Sequence, residues 1–398
     1  MADTLTLQQT APLAAPAHLS ALRGECLTLD EALGEMQHWR ALADNPLERN
    51  AFFGPDFLPA YLRNLAPETI RVAVARHHRT GALHALAPVG RRRLGLGFAG
   101  SAVAVWSNNF APLGTPLVQG DAEAALDALC AAATHGFESP LLAIPFMRLD
   151  GPVYAALKTV LAARGRTIGL ADHYRRASLD CTLTADAYME KNLSGNRRQK
   201  LRRSRRTLAR EGAFESRWCT RETDVEAAFE AFLTLEAAGW KGEGGSAIAL
   251  NEARDRFARE AVLALSKHGK VGVLVLSLDD RPVAANVILL DGPHGIAWKT
   301  AYDESLSRHS PGVMSIIDGM QAIMGGGVLR EVDSLTEPGH PMIEPLWHER
   351  IPVATVLTAG GPLAATRLAL MQADIRAHHT ARALAKRGVA RAKRLLNR

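Results

Sequence analysis

Two stretches bring together residue types that do chemistry, and a third concentrates charge. In "SRHSPGV", residues 307–313, Arg308 precedes Ser310, Pro311 and Gly312. Serine is a good helix N-cap, and proline at the first helical position gives up no needed N–H. Gly312 puts no side chain in the way of a ligand approaching the backbone. The free N–H groups of Gly312, Val313 and Met314, with the helix dipole, would favour a phosphate, and Arg308 would add a charge-assisted bond. The same triplet also opens helices that hold nothing, so the local pattern leaves both readings open. In "LEAAGWKGEGGSAI", residues 235–248, Trp240 and Lys241 lie in a glycine-rich loop and Glu236 sits one helical turn earlier. A tryptophan there can wall a flat or sugar-like group, Glu236 can act as base or acceptor anchor, and Lys241 can meet an anion. Alternatively, Glu236 pairs with Lys241 and Trp240 fills an interface. Residues 197–210 hold eight basic residues and no acid, Arg197 and Arg198 among them. They suit an acidic substrate, a phosphate, a tRNA backbone or a solvated face.

These residues need elements to position them. Residues 1–24 are rich in Ala, Pro and Thr and read as a flexible tail. After it come two helices, strand-like pieces, the helix "DAEAALDALCAAATHG" closed by Gly136, the strand "PLLAIPF", a helix, and the strand "RASLDCTL". A second series starts near Thr184 with a helix that Gly195 can break, then two amphipathic helices. "KVGVLVLSLDDRPVAANVILLDGPHGIAWKTAYD" reads as three antiparallel strands with turns at Asp279-Asp280-Arg281-Pro282 and Asp291-Gly292-Pro293. The Ser-Pro-Gly helix follows, then "LREVDSL" and "RIPVATVLT" as strands. Each half thus runs helices, meander, helix and strand. The expected class is α+β, with a first domain over 25–185, a second over 186–360, and a basic helical tail over 361–398.

Charge and composition narrow the options. The 398 residues carry a net charge of +6, and residues 363–398 alone hold nine basic residues against one acid. The rest is mildly acidic apart from 197–210, which is not the pattern of a protein that coats nucleic acid uniformly. The start of the chain lacks signal-peptide features, and no apolar run is long enough to span a bilayer. The four cysteines are scattered, so no metal site is expected and the protein reads as cytoplasmic. The tail's basic helical face permits weak contact with a membrane surface.

The order strand, hairpin, strand, loop and Ser-Pro-Gly helix resembles the GNAT acyl-CoA N-acyltransferase core. "GNRRQKLRRSRRTLAREG", "LEAAGWKGEGGSAI", "SRHSPGVMSIIDGMQAI", "EVDSL" and "PLWHERIPV" resemble the CelD/BcsL-type acetyltransferases associated with cellulose biosynthesis. That branch is similar to the FemAB peptidyltransferases, which have paired GNAT-like domains. The resemblance covers about 25–360 and is strongest over 186–352. It implies two tandem GNAT-like domains, the second catalytic, and acetyl-CoA or another acyl-CoA as cosubstrate. Arg308, Ser310, Pro311, Gly312 and Val313 would hold its pyrophosphate. The sequence departs from the general phosphate loop at Pro311 and Val313, and His309 stands where the branch commonly has tyrosine.

Acyl transfer needs a donor that polarises the thioester carbonyl and a base for the nucleophile's proton. In a GNAT arrangement "GIAWKTAYDE" supplies the polarising strand. Asp333, beside Ser334 at a strand end, is the first candidate base, and Glu236, Asp303, Glu304, His340 and His348 are others. Tyr302 would protonate the leaving thiolate. Trp240, Lys241, Arg197 and Arg198 would bind the acceptor, a small polar molecule or glycan-type substrate. Two rival readings remain. One is a FemAB-type transferase drawing on aminoacyl-tRNA, which the basic helix permits although it lacks interleaved aromatic rings. The other is a non-enzymatic module for anionic polymers or membrane surfaces.

Overall fold

The computed structural model describes residues 21–324 and 326–396, with side chains to residue 385. Residues 1–20 of the expected tail lie outside the described residues, whereas residues 22–24 already belong to a strand. The strands are β1 (Leu22–Leu27), β2 (Arg71–His77), β3 (Leu83–Arg92), β4 (Ala102–Val105), β5 (Leu117–Val118), β6 (Leu141–Arg148), β7 (Thr167–Asp180), β8 (Phe214–Cys219), β9 (Val271–Leu278), β10 (Arg281–Asp291), β11 (His294–Tyr302), β12 (Glu331–Asp333) and β13 (Glu349–Ala359). The helices are α1 (Leu29–Gly34), α2 (Met36–Asp44), α3 (Leu58–Leu65), α4 (Ala122–Gly136), α5 (Pro152–Ala163), α6 (Ala185–Asn192), α7 (Gly195–Leu208), α8 (Glu222–Ala238), α9 (Trp240–Glu243), α10 (Glu252–Ser266), α11 (Pro311–Met324) and α12 (Ala364–Leu396).

All the strands join one sheet, ordered β1-β2-β3-β4-β6-β13-β7-β12-β11-β10-β9-β8, with β5 on β3. One pattern occurs twice. β1 to β4 pair antiparallel in sequence and β6 lies parallel to β4; β8 to β11 pair antiparallel and β12 lies parallel to β11. This is the tandem GNAT-like α+β architecture. The two repeats meet on β7, which pairs with β13 from Thr167 to Ser178 and with β12 from Ser178 to Asp180. β13 comes from near the end of the chain yet is inserted between β6 and β7.

Local chemistry explains the elements around the site. The β9–β10 turn is Asp279-Asp280, both at positive φ (49° and 62°), the backbone that a two-residue hairpin needs and that aspartate tolerates. Ser194 accepts the Arg197 N–H and starts α7 at Gly195, separating it from α6. Alternation along β10 sends Ala285, Val287 and Leu289 to one core, with α8, α10 and α3. It sends Ala284 and Ile288 to another, with α11, α6 and α7. Phe57 packs edge-on against Phe257 at 5.4 Å and Trp298 at 5.8 Å, joining the two repeats through rings each worth about 1.5–3 kcal/mol when buried.

The basic tail docks as α12. Leu368, Met371 and Ile375, at helical spacing, bury against Ala171, Leu357 and Ala359. Asp374, fully buried, accepts the N–H groups of Leu96 (2.7 Å), Gly97 (3.0 Å) and Ala99 (3.1 Å). Among the described residues no helix is long and apolar enough to cross a membrane, and no group of three His, Cys, Asp or Glu side chains could hold a metal ion.

Candidate functional site

β11 and β12 share three register pairs, from His294↔Glu331 to Ile296↔Asp333. β12 then ends and β11 runs on to Tyr302. The chain beyond β12 turns aside: Ser334 N–H goes to Ala177 O (3.2 Å), and Leu335 takes a positive φ of 56°. A cleft of about 450 Å³ opens where the two strands part. β11 from Ala297 to Tyr302 forms one wall and the loop over 334–343 another. The end of α8 with α9 closes one side, and Asn109 and Pro112 reach in from the first repeat.

Six of the candidate residues converge here: Tyr302, Glu236, Trp240, Lys241, Glu304 and His340 all line the cleft. Glu236 is buried; one oxygen accepts from Lys241 Nζ (2.7 Å) and the other from Ile248 N–H (2.8 Å). It therefore anchors the glycine-rich loop from beneath. Trp240 is 61% exposed, and its backbone N–H donates to Glu304 Oε1 (2.9 Å). Asp333 is not brought in, because one oxygen is paired with the Arg176 guanidinium and the other accepts the Leu335 N–H (2.9 Å). Arg176 is fully buried and also donates to Pro112 O (3.1 Å). That carboxylate pins the cleft wall to β7 and does not line the cleft, which corrects its expected role as base. Arg197 and Arg198 lie on α7, outside the cleft.

The first turn of α11 does not line the cleft but packs behind its wall. Ser310 is left-handed (φ 55°), and its carbonyl accepts from Val313 (3.0 Å) and Met314 (3.1 Å). Gly312, second in the helix, has no acceptor within it for its N–H. A Cβ on Gly312 would sit 2.8 Å from Tyr302 and 2.9 Å from Met342 Sδ, so glycine is required for that close approach. Arg308 is largely exposed and reaches Glu211 (3.1 Å), and His309 is buried against the same carboxylate (3.1 Å).

The residue that sequence reasoning passed over is Lys299. It lies on β11 between Trp298 and Thr300, lines the cleft, and donates to Asn109 O (3.3 Å). Its Nζ sits 4.7 Å from the Phe110 ring centre. Desolvation, helped by the nearby Lys241 charge and opposed by Glu236, pushes its ammonium down to about 8. The available signal was a lone lysine in the middle of the strand "HGIAWKTAY". His340 also lines the cleft; burial lowers its imidazole, against the pull of Glu344. Its Nδ1 accepts the Ile343 N–H (3.3 Å), so the neutral ring carries its proton on Nε2.

Comparison with known proteins agrees with this layout. Residues 195–340 match the family model described as an acetyltransferase (GNAT) domain. No curated protein matches the chain. Among solved structures, a conserved protein of unknown function from Bacteroides thetaiotaomicron VPI-5482 is similar, with TM-score 0.53 and 13% identity over 82% of this chain and 97% of that one. The C-terminal DUF2156 domain of a putative lysylphosphatidylglycerol synthetase from Agrobacterium fabrum gives 0.54 and 14% over 86% and 95%. FemX gives 0.54 and 10% over 81% and 95%. At such identity the likeness is one of fold. The stretch running from α7 past β12, which holds the parted strands and most of the cleft, is the one that matches the GNAT acetyltransferase domain, and the protein that carries it is an acyltransferase.

Proposed function

We propose that the cleft transfers an acetyl or other acyl group from acyl-CoA to an amine or hydroxyl of a polar acceptor. One observation carries this reading: the β11–β12 pairing stops at Ile296↔Asp333 inside the GNAT-matched residues, and the cleft begins there. The thioester supplies an activated acyl carbon. The N-terminus of α11, with Arg308 and Ser310 before it and Pro311, Gly312 and Val313 in its first turn, would hold the pyrophosphate through its dipole and the Gly312 N–H, the Val313 and Met314 N–H groups going to Ser310 O.

The unpaired β11 edge would present backbone N–H groups to the carbonyl oxygen. Lys299, poised near the pH at which it works, would accept the nucleophile's proton as the nucleophile attacks the carbonyl carbon. The new C–N or C–O bond forms, the C–S bond breaks, and the Tyr302 hydroxyl gives its proton to the leaving thiolate. The proton on Lys299 then returns to Tyr302 through solvent. Trp240, Lys241 and the Nε2–H of His340 would hold the acceptor, and a sugar or polysaccharide-related molecule suits a tryptophan face set beside two polar groups.

A competing donor, aminoacyl-tRNA, is favoured by one feature, the seven basic residues of α7. Calorimetric titration separates the two. Saturable heat with acetyl-CoA, lost on Gly312→Asp, is the expected result. Heat only with aminoacyl-tRNA would overturn the acyl-CoA reading.

A further inference from the structure

A second cavity, of about 410 Å³, lies between α6, α7 and α11, away from the cleft, and its size is that of a small-molecule site. Its floor is apolar: Met189 from α6, Leu201 from α7, Met314 and Ile317 from α11. Its rim on the α7 side is Arg198, Arg202 and Arg205.

The rim is only partly neutralised. Arg205 is paired with the buried Asp318. Arg198 meets Glu190 at 3.6 Å, but Glu190 is mostly exposed, and Arg198 Nε is buried with no partner among the described residues. Arg202 is exposed and has no ion-pair partner among the described residues. Asp186 and Glu190 sit on the α6 side, while α7 carries seven basic residues and no acid. A buried guanidinium N–H without an acceptor is costly, and a carboxylate or phosphate is the group its planar fork fits. The floor offers no aromatic ring for a base or sugar to stack on, and Gln321 is its one amide. Thioether and aliphatic side chains suit a flexible hydrocarbon chain instead.

We infer that this groove is a second binding site, for a single-chain amphiphile with a phosphate or carboxylate head. The chain lies on Met189, Leu201, Met314 and Ile317, and the head meets Arg198 and Arg202. Two sources share this chemistry: a soluble acyl metabolite, or a lipid presented by a membrane. The inference stands independently of the reaction proposed for the cleft.

The test is calorimetry on the full chain with dodecyl phosphate below its micelle concentration, beside the neutral dodecyl maltoside. Expected is saturable binding of dodecyl phosphate, with the maltoside and the Arg202→Glu variant each weaker by about tenfold or more, the worth of one charge-assisted bond. Met189→Gln should weaken it as well. Circular dichroism and thermal melting verify that both variants fold. Equal affinity for the maltoside, unchanged affinity in both variants, or no saturable binding would overturn the site. Pelleting with phosphatidylglycerol vesicles, lost in Arg202→Glu, would assign the ligand to the membrane. Dodecyl phosphate binding without vesicle pelleting would assign it to a soluble amphiphile.

Discussion

Lys299 is where chemistry and stability oppose each other. Its folded value near 8 lies below the ordinary 10.5, so the unfolded chain binds more protons between those two pH values. Stability from this group is therefore lowest below pH 8 and rises as pH climbs toward 10.5. Lys299→Met should raise the denaturant midpoint at pH 7 while lowering kcat by about 10²–10⁴, the usual worth of a general base. In the parent enzyme kcat/KM should climb through pH 8, and in Lys299→Arg that limb should vanish; a limb that persists excludes this amine as base. Gly312 yields a prediction of a different kind. Alanine there forces Cβ into Tyr302 and Met342, costing about 1–3 kcal/mol in overpacking, which thermal melting would read.

The loop over 94–99 and α12 depend on one carboxylate. Asp374→Ala would strand the N–H groups of Leu96, Gly97 and Ala99 at about 1–3 kcal/mol for a buried unsatisfied group. Faster limited proteolysis near α12 and a lower melting temperature are the expected outcome. Several elements were legible in the sequence because their signals are local. The β9–β10–β11 meander and the Asp-Asp turn rest on neighbours within a few residues. The glycines fell close but not in their expected roles, since Gly136 is the last residue of α4 with Phe137 as cap, and the break between α6 and α7 is made by Ser194, with Gly195 opening α7. The residues that complete the cleft were not legible. Asn109 and Pro112 arrive from a loop of the first repeat, and nothing in "SNNFAPLG" announces it. Asp333 read as a base because its partner, Arg176, is distant in sequence and meets it only through β7–β12 pairing. β8, a short edge strand with mostly exposed residues, carries too little alternation to be found. "RIPVATVLT" was plainly a strand, but its sequence does not say between which neighbours it lies.

The chain folds as one sheet because β13 closes it. β13 pairs with β6 on one side and β7 on the other, so the first repeat lacks an inner strand until the last part of the chain arrives. Residues 1–183 expressed alone should therefore be insoluble, with two strand edges open, and coexpression of 184–398 should restore soluble protein. Monomeric, soluble 1–183 with native-like circular dichroism would show that β6 and β7 can close on each other. The same insertion sets a clock on synthesis. Synthesis of β7 is complete at residue 180, and β13 begins only at residue 349. At elongation rates of about 5–20 residues per second the nascent first repeat waits roughly ten to thirty seconds with a vacant slot between β6 and β7. Over that interval its yield is governed by chaperone occupancy and translation speed, so slow codons between 180 and 349 should lower the amount of folded protein without altering the fold it reaches.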